Sequence, residues 1–203
     1  MKITRLPLGA LSTNCYIIST KESALLVDPS AEAKVIIGKL KDIGLPVDAI
    51  LLTHTHYDHF GALDEVQAFT GAEVYMSDIE KDWLTDTSKN GSIRFTEEIT
   101  SSVRPNTLKE GPCTLGAFKF DVIHTPGHSP GSLSYKFEDF IVSGDVLFNK
   151  GVGRTDLYGG SEAELMYSIK EKLFKLDPAT TVYAGHNIPT TIGDEKENNP
   201  YIR

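Results

Sequence analysis

Residues 47–61 read Val47-Asp48-Ala49-Ile50-Leu51-Leu52-Thr53-His54-Thr55-His56-Tyr57-Asp58-His59-Phe60-Gly61. The stretch 47–53 is nearly continuous in apolar residues, the pattern of a strand buried on both faces. It delivers the chain directly into a polar cluster, so that cluster sits at a strand end. In an extended segment alternate side chains share a face, which lets His54 and His56 project the same way. Asp58 and His59 begin the next turn and point elsewhere. Imidazole is the commonest zinc ligand and also suits iron, and a carboxylate adds charge compensation. A single histidine here would read as a surface or hydrogen-bonded residue. Four ligand-type residues in six positions have no structural task at a strand end, so the string reads as a metal site able to feed two ions.

Working outward, residues 3–8, 15–19 and 24–27 are short β-type runs separated by turn residues, an opening antiparallel meander. Asp28-Pro29-Ser30 supplies a stop and a possible cap for a helix over 31–43, where Ile36, Leu40 and Ile43 recur at helical spacing before Gly44. Beyond the histidine cluster, Ala62, Leu63, Val66 and Phe69 define a helical face, 73–76 reads as a strand, and 78–86 as a further helix. The polar stretch 89–104 has no clear period and is either a covering helix or an irregular lid. Strand signals return at 114–115, 118–123, 132–137 and 140–142. Residues 161–174 form an amphipathic helix with Leu165, Ile169 and Leu173 on one face, and 180–183 reads as the last strand. This order of strands and helices predicts two sheets packed face to face with helices outside, in a single domain spanning 1–203.

The chain of 203 residues carries 20 basic and 28 acidic residues, a formal charge of −8. Such a surface repels phosphate backbones, so nucleic acid is not an expected partner. No signal-type leader and no run of about 18 apolar residues occurs, so the expectation is a cytoplasmic protein without membrane attachment, monomeric or homodimeric. Cys15 and Cys113 lie far apart and form no Cys-x-x-Cys pair, and a buried apolar role is expected for both.

Five of the six histidines, His54, His56, His59, His128 and His186, stand beside Gly, Asp or Thr at element ends and are expected on loops, outside the core. His124, just before Thr125-Pro126-Gly127-His128, is expected to be supporting or structural. Taken together, Val27-Asp28-Pro29, residues 53–61 and 125–132, Ser143-Gly144-Asp145, Gly153-Arg154-Thr155-Asp156, Ala184-Gly185-His186 and Asn199-Pro200 resemble the metallo-β-lactamase superfamily. Within it they are most similar to the short glyoxalase II-like (hydroxyacylglutathione hydrolase-like) hydrolases.

That resemblance implies an α/β fold, a four-layer αββα sandwich of two mixed sheets. It implies two divalent ions, zinc first, with iron or manganese permitted by the same ligands. One ion would be held by His54, His56 and His128 and the other by Asp58, His59 and His186. Asp145 would bridge them, so Asp58 and Asp145 are the carboxylates of the catalytic centre. The implied reaction is hydrolysis of a thioester or ester, of the acyl-glutathione (S-lactoylglutathione) type, by a hydroxide bridging the ions. Asp28 would orient a ligand loop, or else serve as a cap or turn residue. Arg154 would contact the substrate, or else pair with Asp156. A persulfide dioxygenase with one iron on His54, His128 and Asp145 is the alternative, and a non-catalytic metal-binding protein a more remote one. The resemblance also implies that true β-lactamases lack a bridging aspartate at position 145, so antibiotic hydrolysis is not expected.

Overall fold

The computed structural model describes residues 1–94 and 97–202. Two six-stranded sheets organise it. The first runs in the order β1 (Lys2–Leu8), β2 (Thr13–Ser19), β3 (Ala24–Val27), β4 (Val47–Leu51), β5 (Glu73–Met76) and β6 (Asn106–Thr107). The predicted meander is its antiparallel half, and the remaining strands pair in parallel. The second sheet contains β7 (Gly111–Leu115), β8 (Phe118–His124), β9 (Leu133–Lys136), β10 (Phe140–Gly144), β13 (Thr181–Ala184) and β14 (Thr190–Thr191), in the order β14-β13-β10-β9-β8-β7. A small hairpin, β11 (Leu147–Phe148) with β12 (Gly151–Val152), follows β10.

Strand alternation divides the apolar residues into three layers. In β2, β3 and β4 the side chains of Ile17, Leu26 and Ile50 face α1 (Ala33–Ile43) and, after the single turn α2 (Tyr57–Phe60), α3 (Leu63–Thr70), joining Ile36, Leu40, Leu63 and Val66. Their neighbours Ile18, Leu25, Val27, Ala49 and Leu51 face the second sheet and meet Phe118, Phe120, Tyr135, Phe137 and Val142. On the far side of that sheet Ile141 and Val182 pack against Leu165, Ile169 and Leu173. Each wholly buried Leu, Ile or Phe contributes about 1.5–3 kcal/mol, so these layers supply the main driving force for folding. The result is the expected αββα sandwich of two mixed sheets. No helix among the described residues is long and apolar enough to cross a membrane.

Several local expectations need correction. The first helix starts at Ala33, and its N-cap is Glu32 in the left-handed region with no side-chain cap bond. Asp28 does not cap it, because its carboxylate is committed to Thr53 and His59. The helix predicted over 78–86 is a 3₁₀ helix, Asp78–Leu84. The amphipathic segment begins as α4 (Glu162–Tyr167), passes through a π-helical stretch, Ser168–Lys172, and ends in a 3₁₀ turn, Leu173–Lys175; its apolar face is as predicted. The strand at the end of the chain is β14, not 180–183, and α5 (Ile192–Asn198) follows it. In the stretch 89–104, Ser92–Arg94 forms one 3₁₀ turn and the other described residues are irregular. Phe95 and Thr96, part of the same expectation, lie outside the described residues, as does Arg203.

Candidate metal centre

The parallel strands β3 and β4 end side by side, and so do β10 and β13 in the other sheet. At these strand ends the loops carrying Asp28, His54–His59, His128, Asp145 and His186 converge. The backbone ties the two sheets together here. Leu133 N donates to Thr53 O at 2.8 Å, and Asn14 N to Gly185 O at 2.7 Å. Glycine is required where the loops touch. A Cβ on Gly185 would lie 2.0 Å from Asp145 Oδ1 and 2.7 Å from His59 Cε1. One on Gly127, whose φ is +133°, would lie 2.2 Å from Leu165 N.

All seven predicted ligands come together. His54, His56 and His128 form one group and Asp58, His59 and His186 another, with ligand atoms in each group within 4.8 Å of one another. Asp145 spans the two. Its Oδ2 is 3.6 Å from His128 Nε2 and 3.3 Å from His186 Nε2, and its Oδ1 is 3.4 Å from His59 Nε2. Asp58 Oδ2 lies 3.6 Å from His59 Nε2 and 3.4 Å from His186 Nε2. As expected the histidines belong to none of the apolar layers, yet His54, His56, His59 and His128 are only 0–4% exposed, and His59 lies in a helical turn and not on a loop.

The hydrogen bonds orient four of the five rings alike. His128 Nδ1 lies 2.8 Å from the carbonyl of Arg154 and His186 Nδ1 3.2 Å from that of Leu11. A carbonyl only accepts, so each Nδ1 carries a proton and the ring turns Nε2 toward the centre. His59 Nδ1 donates to Asp28 Oδ2 at 2.9 Å. Thr53 Oγ1 donates to the same carboxylate at 2.7 Å and so accepts from His54 Nδ1 at 3.1 Å. His56 is turned the other way, with Nδ1 2.8 Å from His128 Nε2. Anchored Nδ1 atoms with inward Nε2 lone pairs are the arrangement that orients metal-binding imidazoles.

Several ligand atoms lack a hydrogen-bond partner among the described residues. His54 Nε2, His59 Nε2 and Asp145 Oδ1 are buried with no hydrogen bond among the described residues, and so is His56 Nε2. Leaving a buried polar atom unpaired costs about 1–3 kcal/mol, and a cluster of such atoms within ligand distance fits divalent cations. The electrostatics divide the centre in two. Burial, reinforced by neighbouring imidazoles, pushes His54 well below the usual histidine range and His56 down to about 3; burial also lowers His128. Burial would likewise depress His59 and His186. Asp58, Asp145 and Asp28 outweigh it at His59, and Asp145 and Asp58 raise His186 to about 10. Against the burial penalty, His59 and His186 hold Asp58 down to about 2 and Asp145 well below the carboxylate range. The first triad is therefore neutral at pH 7 without an ion, whereas the second is proton-loaded.

Other predicted residues are placed as follows. Asp28 is the orienting residue, since Thr53 N also donates to its Oδ1 at 2.8 Å. Arg154 makes the internal pair, donating from Nε and Nη2 to Asp156 at 2.6 and 2.8 Å. His124 is structural, with Nε2 2.8 Å from Pro130 O. Cys15 is buried and Cys113 half-buried, and both are free thiols. Three residues near the ligands went unnoticed in the sequence. Thr13 donates to Asp58 Oδ2 at 2.7 Å, Arg94 lines the cleft above the ligands, and the buried Glu80 accepts from the ligand loops. Of these only Glu80 left a signal, an acid on the inner face of a short helical segment. The cleft holds about 240 Å³ and is lined by His56, Asp58, His128, Asp145 and His186, with Leu11, Tyr57, Arg94, Arg154 and Leu157 above them.

Residues 8–186 match the family model of the metallo-beta-lactamase superfamily. The probable metallo-hydrolase YqgX of Bacillus subtilis is 42% identical over 206 residues, covering 100% of this chain and 98% of the relative. Hydroxyacylglutathione hydrolase GloC of Haemophilus influenzae is 34% identical over 208 residues, covering 100% and 98%. Among solved structures, BLEG-1 B3 metallo-beta-lactamase superposes with a TM-score of 0.96 at 42% identity, covering 99% of each chain. TTHA1623 in a di-iron-bound form gives 0.86 at 34% identity, covering 98% and 99%. ETHE1 from Myxococcus xanthus gives 0.79 at 28%, covering 100% of this chain and 84% of that one. With its fold, ligand cluster and full-length relatives in agreement, the chain belongs to the metallo-β-lactamase superfamily.

Proposed function

We propose that the chain is a dinuclear metal-dependent hydrolase that cleaves a thioester of the acyl-glutathione type. The observation that carries this reading is the second ligand set. Asp58, His59 and His186 are complete, and Asp145 reaches both sets, which a one-ion mechanism on His54, His128 and Asp145 would not require. His54, His56 and His128 would hold one ion, Asp58, His59 and His186 the other, with Asp145 shared. When bound, two divalent ions supply Lewis acidity at a carbonyl oxygen and lower the pKa of a bound water toward about 7. The likeness to GloC supports a glutathione thioester, and the di-iron form of TTHA1623 makes iron as eligible as zinc.

The chain's own residues select the substrate. Arg154 is neutralised by Asp156, whereas Arg94 has no ion pair among the described residues and lines the same cleft. In a chain of net charge −8 that guanidinium, which also feels Asp156 without pairing with it, is a local attractor for a carboxylate, of which glutathione carries two. Arg94→Ala is expected to raise KM for S-lactoylglutathione about tenfold with little change in kcat, the loss of one charge-assisted hydrogen bond.

The deciding experiment is metal analysis of the purified protein joined to three assays. They are thioester loss from S-lactoylglutathione, oxygen uptake with glutathione persulfide, and hydrolysis of a chromogenic cephalosporin. Two metals per chain with thioester loss support the proposal. One iron with oxygen uptake would replace it by a persulfide dioxygenase, the reading suggested by the likeness to ETHE1. Cephalosporin turnover alone would align the chain with BLEG-1, its 42% identical structural neighbour.

A further inference from the structure

Glu80 lies in the 3₁₀ helix Asp78–Leu84 and is wholly buried. Its two carboxylate oxygens serve two different loops. Oε2 accepts from Thr55 N at 2.8 Å, the amide between His54 and His56. Oε1 accepts from Gly131 N at 2.6 Å, three residues after His128. The fit is close: a Cβ at position 131 would sit 2.7 Å from Glu80 Cγ, so the loop approaches only as glycine. The same helix sets Trp83 against the His56 ring, with centroids 6.1 Å apart. Among the described residues no Lys, Arg or His forms an ion pair with Glu80. A buried carboxylate without a cationic partner is expensive, and hydrogen bonds from the loops are what hold it there.

These two loops carry the three histidines of the first triad; of the second triad His186 lies on neither, and Asp58 and His59 belong to the helical turn Tyr57–Phe60 that follows His56. We propose that Glu80 is a positioning residue for the first ion: its carboxylate locks the loops bearing His54, His56 and His128 at one spacing and so sets that triad's affinity for a divalent cation. The proposal rests on the reading of this triad as a cation site and is independent of the substrate. An amide nitrogen has a single proton to give, so Thr55 N and Gly131 N each need an acceptor at that one place. A carboxylate offers both acceptors within one rigid plane. Glutamine keeps the plane but only one acceptor, since its NH₂ would face one of the amides donor to donor.

The test is a titration of the metal-free full-length protein with Zn²⁺ against a chromophoric chelator, for the wild type, Glu80→Gln and Glu80→Ala. In Glu80→Ala one of the two equivalents is expected to weaken by about ten- to hundredfold, the usual effect of losing a partner that orients a ligand. The other equivalent should stay within about threefold of the wild type, and Glu80→Gln should fall between. Titration with Co²⁺ identifies the weakened position, because a site of three imidazoles and one with a terminal carboxylate differ in visible absorption. Melting of the metal-free variants separates this role from a scaffolding one. If both equivalents keep wild-type affinity, or weaken alike in step with a lowered melting temperature, Glu80 serves the fold and the inference is overturned. Failure of both variants to fold would overturn it in the same way. A wild-type protein that binds no metal would instead refute the reading of the centre.

Discussion

Substituting Asp28 by asparagine changes one oxygen to NH₂ and no volume, yet both triads should feel it. Asp28 Oδ1 accepts from Thr53 N, which can only donate, so the single oxygen left in the variant has to stay at that position. In Asp28→Asn the NH₂ therefore faces His59 Nδ1 and Thr53 Oγ1. To offer Nε2 to an ion, His59 must keep its proton on Nδ1, where it would now meet the NH₂ donor to donor. The second amide proton goes to Thr53 Oγ1, whose own proton turns toward His54 Nδ1, 3.1 Å away. The His54 proton must then sit on Nε2. One isosteric change thus opposes the ion-holding tautomer of a ligand in each triad. Loss of an orienting partner costs about ten- to hundredfold in affinity, or roughly 1.4–2.7 kcal/mol per ion. Global stability should change by only about 1 kcal/mol, since the hydrogen-bond count is nearly preserved. Competition titration with a chelator reads the first quantity and denaturant unfolding of the metal-free protein the second. Two equivalents bound within twofold of wild-type affinity would refute the tautomer argument.

Asp58→Ala should bind one ion in place of two and lower thioester turnover by about two orders of magnitude or more; plasma emission spectrometry and a thiol-release assay check both. In Gly185→Ala the new methyl carbon lies 2.0 Å from Asp145 Oδ1, so Asp145 must move. Turnover should fall at least about tenfold while circular dichroism stays native, and unchanged kinetics would contradict the close approach. The pH dependence of metal binding should differ between the triads. His186, raised to about 10, and His59, also raised, are protonated at pH 7 without metal, and an ion must displace those protons. Affinity at the second position should therefore rise with pH, by up to about tenfold per unit for each proton released. His54, His56 and His128, all lowered, are already neutral, so the first position should vary little between about pH 6 and 8. Calorimetric titration in buffers of different ionisation enthalpy counts the protons released with each equivalent.

Much of this centre was legible before folding was considered. An apolar strand running into His-x-His-x-Asp-His announces a metal site through residue chemistry and strand periodicity alone, both local properties. The four residues of that string follow from it directly, whereas the pairing with His128, Asp145 and His186 and the role of Asp28 came from the resemblance to the metallo-β-lactamase superfamily. Two sheets were readable because each strand alternates or is apolar throughout, which depends on a window of a few residues. The capping expectation at Asp28 failed because a carboxylate after a strand has a local partner in the next helix and a distant one across the sheet. Thr53 and His59, 25 and 31 residues away, won it.

What the tertiary structure alone decided is the set of relations between loops far apart in sequence. The burial of the histidines, the tautomers chosen by the carbonyls of Arg154 and Leu11, and the split into a neutral and a proton-loaded triad all require strand ends from both sheets to meet. The same holds for Glu80, whose partners Thr55 and Gly131 lie 25 and 51 residues away. For Arg154 the sequence left a substrate contact and a pair with Asp156 both open, and the fold shows the pair; Arg94, unnoticed in the sequence, is placed in the cleft only by the fold. Ligand identity is a property of side chains and can be read one residue at a time. Orientation, protonation and charge balance are set by neighbours that packing selects.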